Sequence, residues 1–318
     1  MNLTLDKRDY IAGDVIDEIS VDSWLDYITI GEKQNWVYGD SVACVSFATL
    51  NTIECKLNYY LKHNLIPKHT LNWLTENCYL EEGEFNFSDK YIAKLSNTTS
   101  SGNSANNVLN TIVGTENKEA FGLIPESLWT FKMSDRANTA SWEDYMSEIP
   151  QELIDLGKEF AKRIKLTYFR IQREDFSHYI KQSPIMTFVR SCQPENGVYY
   201  RCDRNINHAI CMVDSEDFDI ILDSYEKQPD KDGIEKYLRY YASDYNYYDY
   251  GFIFNIDFMD NFVKILKDEN SSTVGFFLPA TMPDTLKNLA LIFGIEIDKL
   301  DTQEDWDKII DGKFTLNK

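Results

Sequence analysis

Residues 44–54 have the sequence CVSFATLNTIE and lie near the start of the longest helical pattern in the chain. Apolar side chains recur there at spacings of three or four residues, as one buried face of a helix requires, so we predict a helix over about residues 41–63. These apolar side chains are Leu50, Ile53, Leu57 and Leu61. We expect Asp40 or Ser41 to cap the start of the helix.

Cys44 is the cysteine best placed for chemistry, because it lies in the first turn of this predicted helix. A cysteine acts as a nucleophile in its thiolate form, which a helix N-terminus favours through unpaired N–H groups and the positive end of the helix dipole. A cysteine at such a position is also commonly a small buried residue without a chemical role. A partner base is needed to separate the two interpretations.

The chain has four histidines, and three of them are poorly placed to serve Cys44. His63 and His69 flank the far end of the same helix, which places His63 roughly 30 Å from Cys44. His178 lies in a charged stretch that is typical of a protein surface. His208 begins an apolar strand pattern, in which its ring can face a cleft while alternate neighbours face the core. By elimination, His208 is the best candidate for the base, and a buried structural histidine is the alternative.

The periodicity changes along the chain from helical to strand-like. Short helices are predicted within residues 88–130 and a longer helix over 143–163. Strand-like alternation follows at 166–171, 184–189, 198–201, 208–213, 218–222 and 250–256. Residues 226–249, rich in Asp, Lys and Tyr, are predicted to form an exposed insertion between two strands. Helices followed by strands predict an α+β protein with two lobes.

Eight further short motifs follow the cysteine helix in a fixed order. They are FSDK (87–90), GN (102–103), GLIPESLW (122–129), SPIM (183–186), NGVY (196–199), NHAICMV (207–213), ILDSY (221–225) and GFIFNI (251–256). Together with CVSFATLNTIE they resemble, in the same order, the motifs of papain-like cysteine peptidases over roughly residues 20–258. The resemblance is to a divergent member of bacterial or phage type without a pro-region. It implies a two-lobed α+β fold, with a helical left lobe and an antiparallel, β-barrel-like right lobe.

The resemblance implies catalytic roles for four residues. Cys44 corresponds to the nucleophile, His208 to the base, and Asp223 to the asparagine that orients the imidazole in the family. The family's oxyanion-hole glutamine precedes the cysteine by about six residues. Here that position is Tyr38, and the nearest glutamine is Gln34, ten residues before Cys44. Gln34 is the expected oxyanion donor, provided that the intervening loop carries an insertion.

The resemblance also implies five substrate-binding positions. Gly102 and Asn103 correspond to the glycine-rich strip that binds the substrate backbone. Phe188 and Ala209 correspond to residues that line the pocket for the substrate's second residue, which favours an apolar or aromatic preference. Tyr225 occupies the position of the tryptophan that covers the histidine's hydrogen bond.

Composition and charge exclude several classes of partner. A net charge of −20 argues against nucleic acid, since no broad basic face could displace counterions from phosphates. The apolar stretches 274–280 and 289–295 are too short to span a bilayer, and the chain does not begin with a signal-peptide pattern. We therefore expect neither a nucleic-acid nor a membrane partner. The expected location is cytoplasmic or outside the cell by a non-classical route, with association with a virion as one such case.

The cysteines and histidines do not form a pattern typical of metal binding. None of the six cysteines forms a CxxC pair, and the four histidines are dispersed, so we expect no metal and no cofactor. The density of cysteines is low for a secreted disulfide scaffold, which predicts mostly reduced thiols.

The chain is predicted to contain a papain-like peptidase domain over residues 1–267 and a small helical appendage over 268–318. Two short helices are expected in the appendage, at 283–293 and 304–310, and a protein partner could dock on it. The expected function is hydrolysis of peptide bonds in a peptide or protein substrate. Two alternatives stay open: a catalytically weak or inactive structural or interaction protein of the same fold, and a cysteine amidase or transferase acting on a non-protein acyl group.

Overall fold

The computed structural model of the protein describes most of the chain before residue 260. The described residues are 19–29, 31–36, 39–130, 145–190, 192–225, 228–229, 235–259, 266–267 and 274–275. The chain divides into two compact units, Met1–Asp257 and Phe258–Lys318. The two helices predicted for the appendage lie outside the described residues, and the domain boundary after residue 267 stays a prediction. No helix in these ranges is long and apolar enough to cross a membrane.

Most of the described helices precede the large sheet in the chain. They are α1 (Cys44–Lys62), α2 (Lys68–Glu76), α3 (Asp89–Leu95), α4 (Ala105–Val113), α5 (Gln151–Arg163) and α6 (Phe176–Tyr179). Helix α1 is buried almost along its whole length, because it packs against the sheet on one side and against α3 and α4 on the other. It is also the longest of the described helices, as the sequence predicted.

The start of α1 lies three residues after the predicted one. The N-cap is Ala43, which makes no side-chain capping bond, whereas Asp40 and Ser41 precede the helix. The Asp40 carboxylate accepts a hydrogen bond from the Val42 N–H at 2.7 Å, and Val42 has a left-handed φ of 53°. This turn keeps residues 40–42 out of the helix and makes Cys44 its first residue.

Two buried polar side chains connect α1 to the rest of the first unit. Lys56 donates a hydrogen bond from Nζ to the carbonyl of Phe254, at 2.6 Å. Glu54 accepts one at Oε1 from the N–H of Phe87, at 2.7 Å. Both side chains are almost completely buried, so these bonds offset part of the cost of removing polar groups from water. They fix the helix against the sheet and against the loop that precedes α3.

The strands form one large mixed sheet and several two-stranded pairs. The strands are β1 (Asn35–Trp36), β2 (Gly39–Asp40), β3 (Leu80–Glu81), β4 (Glu84–Phe85), β5 (Ile164–Gln172), β6 (Ile185–Val189), β7 (Val198–Tyr199), β8 (His208–Ser215), β9 (Phe218–Leu222), β10 (Gln228–Pro229), β11 (Glu235–Lys236), β12 (Leu238–Ala242), β13 (Tyr250–Phe258), β14 (Leu266–Lys267) and β15 (Val274–Gly275). The seven-stranded sheet has the order β5-β13-β6-β8-β9-β12-β7. Its neighbours from β13 to β12 pair antiparallel, whereas β12 and β7 pair parallel. The predicted α+β class is confirmed, while the barrel-like form of the sheet lobe stays a prediction.

Residues 238–242 of the segment predicted as an exposed insertion form a strand of this sheet. Strand β12 lies between β9 and β7, and within it Arg239 and Tyr241 are 4% and 2% exposed. Tyr245 and Tyr247 follow it and are also buried. The composition of residues 226–249 misled the prediction, because tyrosine and arginine cover apolar surface with their stems and rings while bonding through their polar ends.

One pair of cysteines departs from the expectation of reduced thiols. Cys192 and Cys202 form a disulfide across a sequence separation of 10 residues. Cys44, Cys55, Cys78 and Cys211 are free, and of these Cys78 is exposed.

Candidate active site

Cys44 and His208 are the first residues of α1 and β8, two elements that pack against each other. The side chain of Cys44 lies close enough to the imidazole of His208 to interact with it and raise its pKa. Both residues are buried, with 8% of Cys44 and 4% of His208 exposed. The sheet and the helix thus bring together a thiol and an imidazole that are more than 160 residues apart in sequence.

The other side of the imidazole contacts Asp223, immediately after the end of β9. His208 Nε2 lies 2.7 Å from Asp223 Oδ1, and the same oxygen accepts a hydrogen bond from the Ser224 N–H at 2.8 Å. Asp223 is 7% exposed. Because Nε2 is engaged by Asp223, the ring nitrogen left for Cys44 is Nδ1. The three residues form a chain of contacts from thiol to imidazole to carboxylate.

The electrostatics favour the charged forms of His208 and Asp223. Burial lowers the pKa of His208, but the Asp223 carboxylate and then Cys44 outweigh it and raise that pKa to about 10. Burial raises the pKa of Asp223, and the charges of His208 and Arg239 together with the Ser224 N–H outweigh it and hold that pKa below its ordinary value. An imidazolium and a carboxylate therefore face each other at neutral pH.

Gln34 is bound to the loop that carries Asp223. Its side-chain carbonyl accepts a hydrogen bond from Ser224 Oγ at 2.6 Å, and its backbone N–H donates to the Ser224 carbonyl at 2.7 Å. Its Nε2 donates to Asp40 Oδ1 at 2.9 Å. An amide nitrogen carries two hydrogens, so this bond to Asp40 occupies one of them. The structure therefore places Gln34 next to the loop of Asp223, buried to 1% exposure.

Asp40 joins three parts of the site, a role that sequence reasoning missed because it considered Asp40 only as a helix cap. One carboxylate oxygen accepts from Gln34 Nε2 and from the Val42 N–H, and the other accepts from the hydroxyl of Tyr225 at 3.0 Å. The Tyr225 ring lies 5.0 Å from the imidazole of His208, centroid to centroid. Asp40 thus fixes the predicted oxyanion donor, the turn before Cys44 and the aromatic cover of the imidazole.

Gly102 and Asn103 lie in a tight turn beside the segment that precedes Cys44. Gly102 has φ +90° and exchanges two backbone hydrogen bonds with Thr99. A Cβ added at Gly102 would meet Val42 at 3.8 Å. The Asn103 amide donates to Ser96 Oγ, at 2.7 Å, so its side chain holds the turn together. Contact with substrate by these two residues stays a prediction.

Phe188 and Ala209 are direct partners across the β6–β8 pair, and both are buried. The Phe188 ring packs edge-on against Tyr248 and Tyr250 at 6.1 Å in each case, and against Phe252 at 6.5 Å. These rings form an apolar layer one residue pair along the strands from His208, which pairs with Val189 in the same register. Their role as walls of a substrate pocket stays a prediction.

Three carboxylates outside this cluster lie close enough together to bind a cation. Oxygens of Glu32, Asp89 and Glu126 lie within 4.8 Å of one another. Asp89 accepts a hydrogen bond from the hydroxyl of Tyr145, and Glu32 accepts one from Asn86. Such bonds can hold a buried acidic group without a metal, and we assign this group no chemical role.

Comparisons with known proteins give little beyond the geometry. No protein-family model matches the chain, and no curated protein matches it. Among solved structures, the chain is similar to that of the bromelain protease from Ananas comosus in complex with the E64 inhibitor, at 13% sequence identity and a TM-score of 0.46. That alignment covers 75% of this chain and 99% of the other. A likeness at this level establishes neither a family nor an activity for the chain.

Proposed function

We propose that this protein is a papain-like cysteine peptidase, a hydrolase that cleaves peptide bonds through an acyl-enzyme at Cys44. The observation that carries the proposal is the contact of the buried His208 imidazole with Cys44 on one side and with Asp223, at 2.7 Å, on the other. An imidazolium held between a thiol and a carboxylate is the arrangement that keeps a thiol ready as a thiolate.

The chemistry follows from this arrangement in two halves. The Cys44 thiolate adds to the carbonyl carbon of the scissile amide, and the His208 imidazolium gives its proton to the leaving amine as the C–N bond breaks. The resulting thioester is attacked by water, whose proton passes to His208, and the carboxylic acid product leaves as the C–S bond breaks. Asp223 does not take the proton but holds the ring and stabilises its charged form.

The oxyanion formed in each half needs N–H donors. We assign this role to the Cys44 N–H at the start of α1 and to the second N–H of Gln34 Nε2. The bond from the first N–H to Asp40 fixes the plane of the amide, which supports preorganisation. The peptide substrate would pair with the backbone at Gly102 and Asn103, with its second residue near Phe188, Ala209 and Tyr225.

One observation favours a catalytically weak or inactive protein of the same fold. Gln34 lies ten residues before Cys44, and its amide makes bonds within the fold to Ser224 and Asp40. If both bonds hold the second N–H away from the oxyanion, the site loses a donor worth about a hundredfold or more in rate.

Labelling with an epoxide electrophile tests the proposal. We expect a peptidyl epoxide to modify Cys44 at neutral pH, as located by mass spectrometry of the full chain, and Cys44→Ser to abolish the adduct. The exposed Cys78 is the internal control, since it is accessible without belonging to the cluster. Modification of Cys78 with none at Cys44 would contradict a reactive nucleophile.

A digest of a peptide library then separates a peptidase from an amidase or transferase. Cleavage that disappears in Cys44→Ser supports the peptidase. A reactive Cys44 without any cleaved peptide supports the action on a non-protein acyl group instead.

A further inference from the structure

Arg239 reaches the site from strand β12. In the antiparallel pairing of β9 and β12, Arg239 lies opposite Ile221, and the N–H of Asp223 donates to the carbonyl of Tyr237 at 2.9 Å. Asp223 and Arg239 are therefore diagonal neighbours across the pair, a spacing that a long side chain can bridge. The two are 16 residues apart in sequence, and no short-range pattern connects them.

The two side chains form a buried ion pair. Arg239 Nε lies 3.4 Å from Asp223 Oδ2, the carboxylate oxygen opposite to the one that contacts His208. The side chains are 4% and 9% exposed, so little water screens the pair. Asp223 thus has a cation on each of its two oxygens.

We infer that Arg239 is a positioning residue that balances the charge of Asp223 and so lowers the pH at which the Cys44–His208 pair loses its first proton to form a thiolate. The inference deepens the proposed function and rests on it. An aspartate in this place, unlike a neutral amide, adds a negative charge next to a group that must itself become an anion. Repulsion between Asp223 and the Cys44 thiolate opposes ionisation of the thiol, and the guanidinium cancels much of that repulsion.

The net charge of this group of residues depends on Arg239. With Arg239 present, a thiolate, an imidazolium, a carboxylate and a guanidinium sum to zero. Without the guanidinium the same set carries one net negative charge inside the protein, where water cannot disperse it. With a neutral amide at position 223 and no guanidinium, the sum is again zero. Arg239 and the acidic nature of Asp223 are therefore expected to compensate each other.

Other polar groups face this set from the neighbouring elements. Tyr199 of β7 is hydrogen-bonded to Arg239, and Tyr241 of β12 feels the charge of Asp223. Tyr225 lies over the imidazole and bonds to Asp40, whose carboxylate is the further negative charge near the site. Burial is the main reason that the pKa of each of these tyrosines lies above its ordinary value, so all three stay neutral through the pH range of the test. Asp40 adds a further charge, which is the same in every variant below.

The test is the pH dependence of Cys44 alkylation by iodoacetamide, a small neutral reagent, in the full chain. The pair titrates with apparent midpoints that belong to both groups together. We expect Arg239→Met to move these midpoints up by about one pH unit and to slow alkylation about tenfold on the acidic limb, because removal of a cation disfavours the thiolate. Asp223→Asn alone is expected to move them down. The double variant is expected to return them close to the wild-type values.

Two further variants exclude a general effect of structure or charge. Arg239→Lys keeps the cation without the planar guanidinium and is expected to shift the midpoints by less than half as much as Arg239→Met. Lys162→Met removes a cation from a side chain that is 68% exposed on α5, and should leave them unchanged. Circular dichroism and thermal melts of each variant identify any that fail to fold.

The two single variants are expected to shift the alkylation midpoints in opposite directions, which a purely structural role of Arg239 does not predict. If Arg239 only holds the fold, both single variants lose reactivity and the double variant loses more, which overturns the inference. If wild-type Cys44 is no more reactive than Cys78, the proposed function fails first. The inference is then decided by NMR titration of the His208 ring in the same four proteins, where the same pattern of an upward shift, a downward shift and a return is expected. Unchanged ring titration in Arg239→Met overturns it.

Discussion

The raised pKa of His208 predicts how the stability of the protein depends on pH. The perturbation is His208→Gln, which removes the titrating ring while leaving an amide of similar reach beside Asp223. The folded protein holds the His208 proton up to a pKa of about 10, whereas the unfolded chain releases it near 6.5. The folded state therefore binds one proton more than the unfolded state throughout this interval.

Proton linkage gives the sign and the size of the change in the free energy of unfolding with pH. A group whose pKa is higher in the folded state contributes its full stability below the unfolded value and loses it as pH rises toward the folded value. The free energy of unfolding of the wild type, relative to His208→Gln, is expected to fall by about 1.4 kcal/mol per pH unit between pH 6.5 and 10. Over the whole interval the loss is about 5 kcal/mol. The lowered pKa of Asp223 reports the same contact from its other end and adds nothing to this amount.

The assay is urea unfolding of both proteins at closely spaced pH values, followed by circular dichroism. The difference between the two proteins, not either curve alone, carries the result, because other titrating groups are common to both. A difference that is flat from pH 7 to pH 9 would refute the raised pKa and with it the buried imidazolium. The same comparison in a Cys44→Ser background should show the stability difference falling over a shorter pH interval that ends at lower pH. The reason is that Cys44 also raises the pKa of His208.

Three further predictions concern residues around the site and in the fold that supports it. Asp40→Asn leaves one acceptor oxygen for the three donors that Asp40 now serves, so we expect the free energy of unfolding in urea to fall by about 1–3 kcal/mol. We also expect kcat/KM on a cleaved peptide to fall at least tenfold, and an unchanged kcat/KM would exclude a role for Asp40 as a positioning residue. Gly122→Ala should destabilise severely, by more than about 3 kcal/mol, because its Cβ would clash with the carbonyl oxygen of Gly157. A thermal melt like that of the wild type would contradict this packing. Replacing Cys192 and Cys202 together by serine should lower the free energy of unfolding by about 2–4 kcal/mol under oxidising conditions. If the wild type is equally stable with and without reductant, the disulfide is contradicted.

The local elements were largely predictable from sequence, because each depends on the spacing of neighbouring side chains. Strand β9 was predicted at its observed bounds, and β8 differs from its prediction by two residues at one end. The start of α1 was missed because the side chain of Asp40 bonds the turn at Val42 instead of capping the helix. A carboxylate can serve either purpose, and the residue types do not distinguish them.

The sequence alone predicted which residues could do chemistry: Cys44 at a helix start and His208 at a strand start, with Asp223 implied by the resemblance to papain-like cysteine peptidases. Only the tertiary structure brought these side chains into contact, placed Gln34 against Ser224, and showed Arg239 behind Asp223. The physical reason is the sequence distance between the residues that interact. Helical and strand patterns are written in residues a few positions apart, whereas the charge balance of the site depends on strand register across β9 and β12, which sequence spacing does not encode.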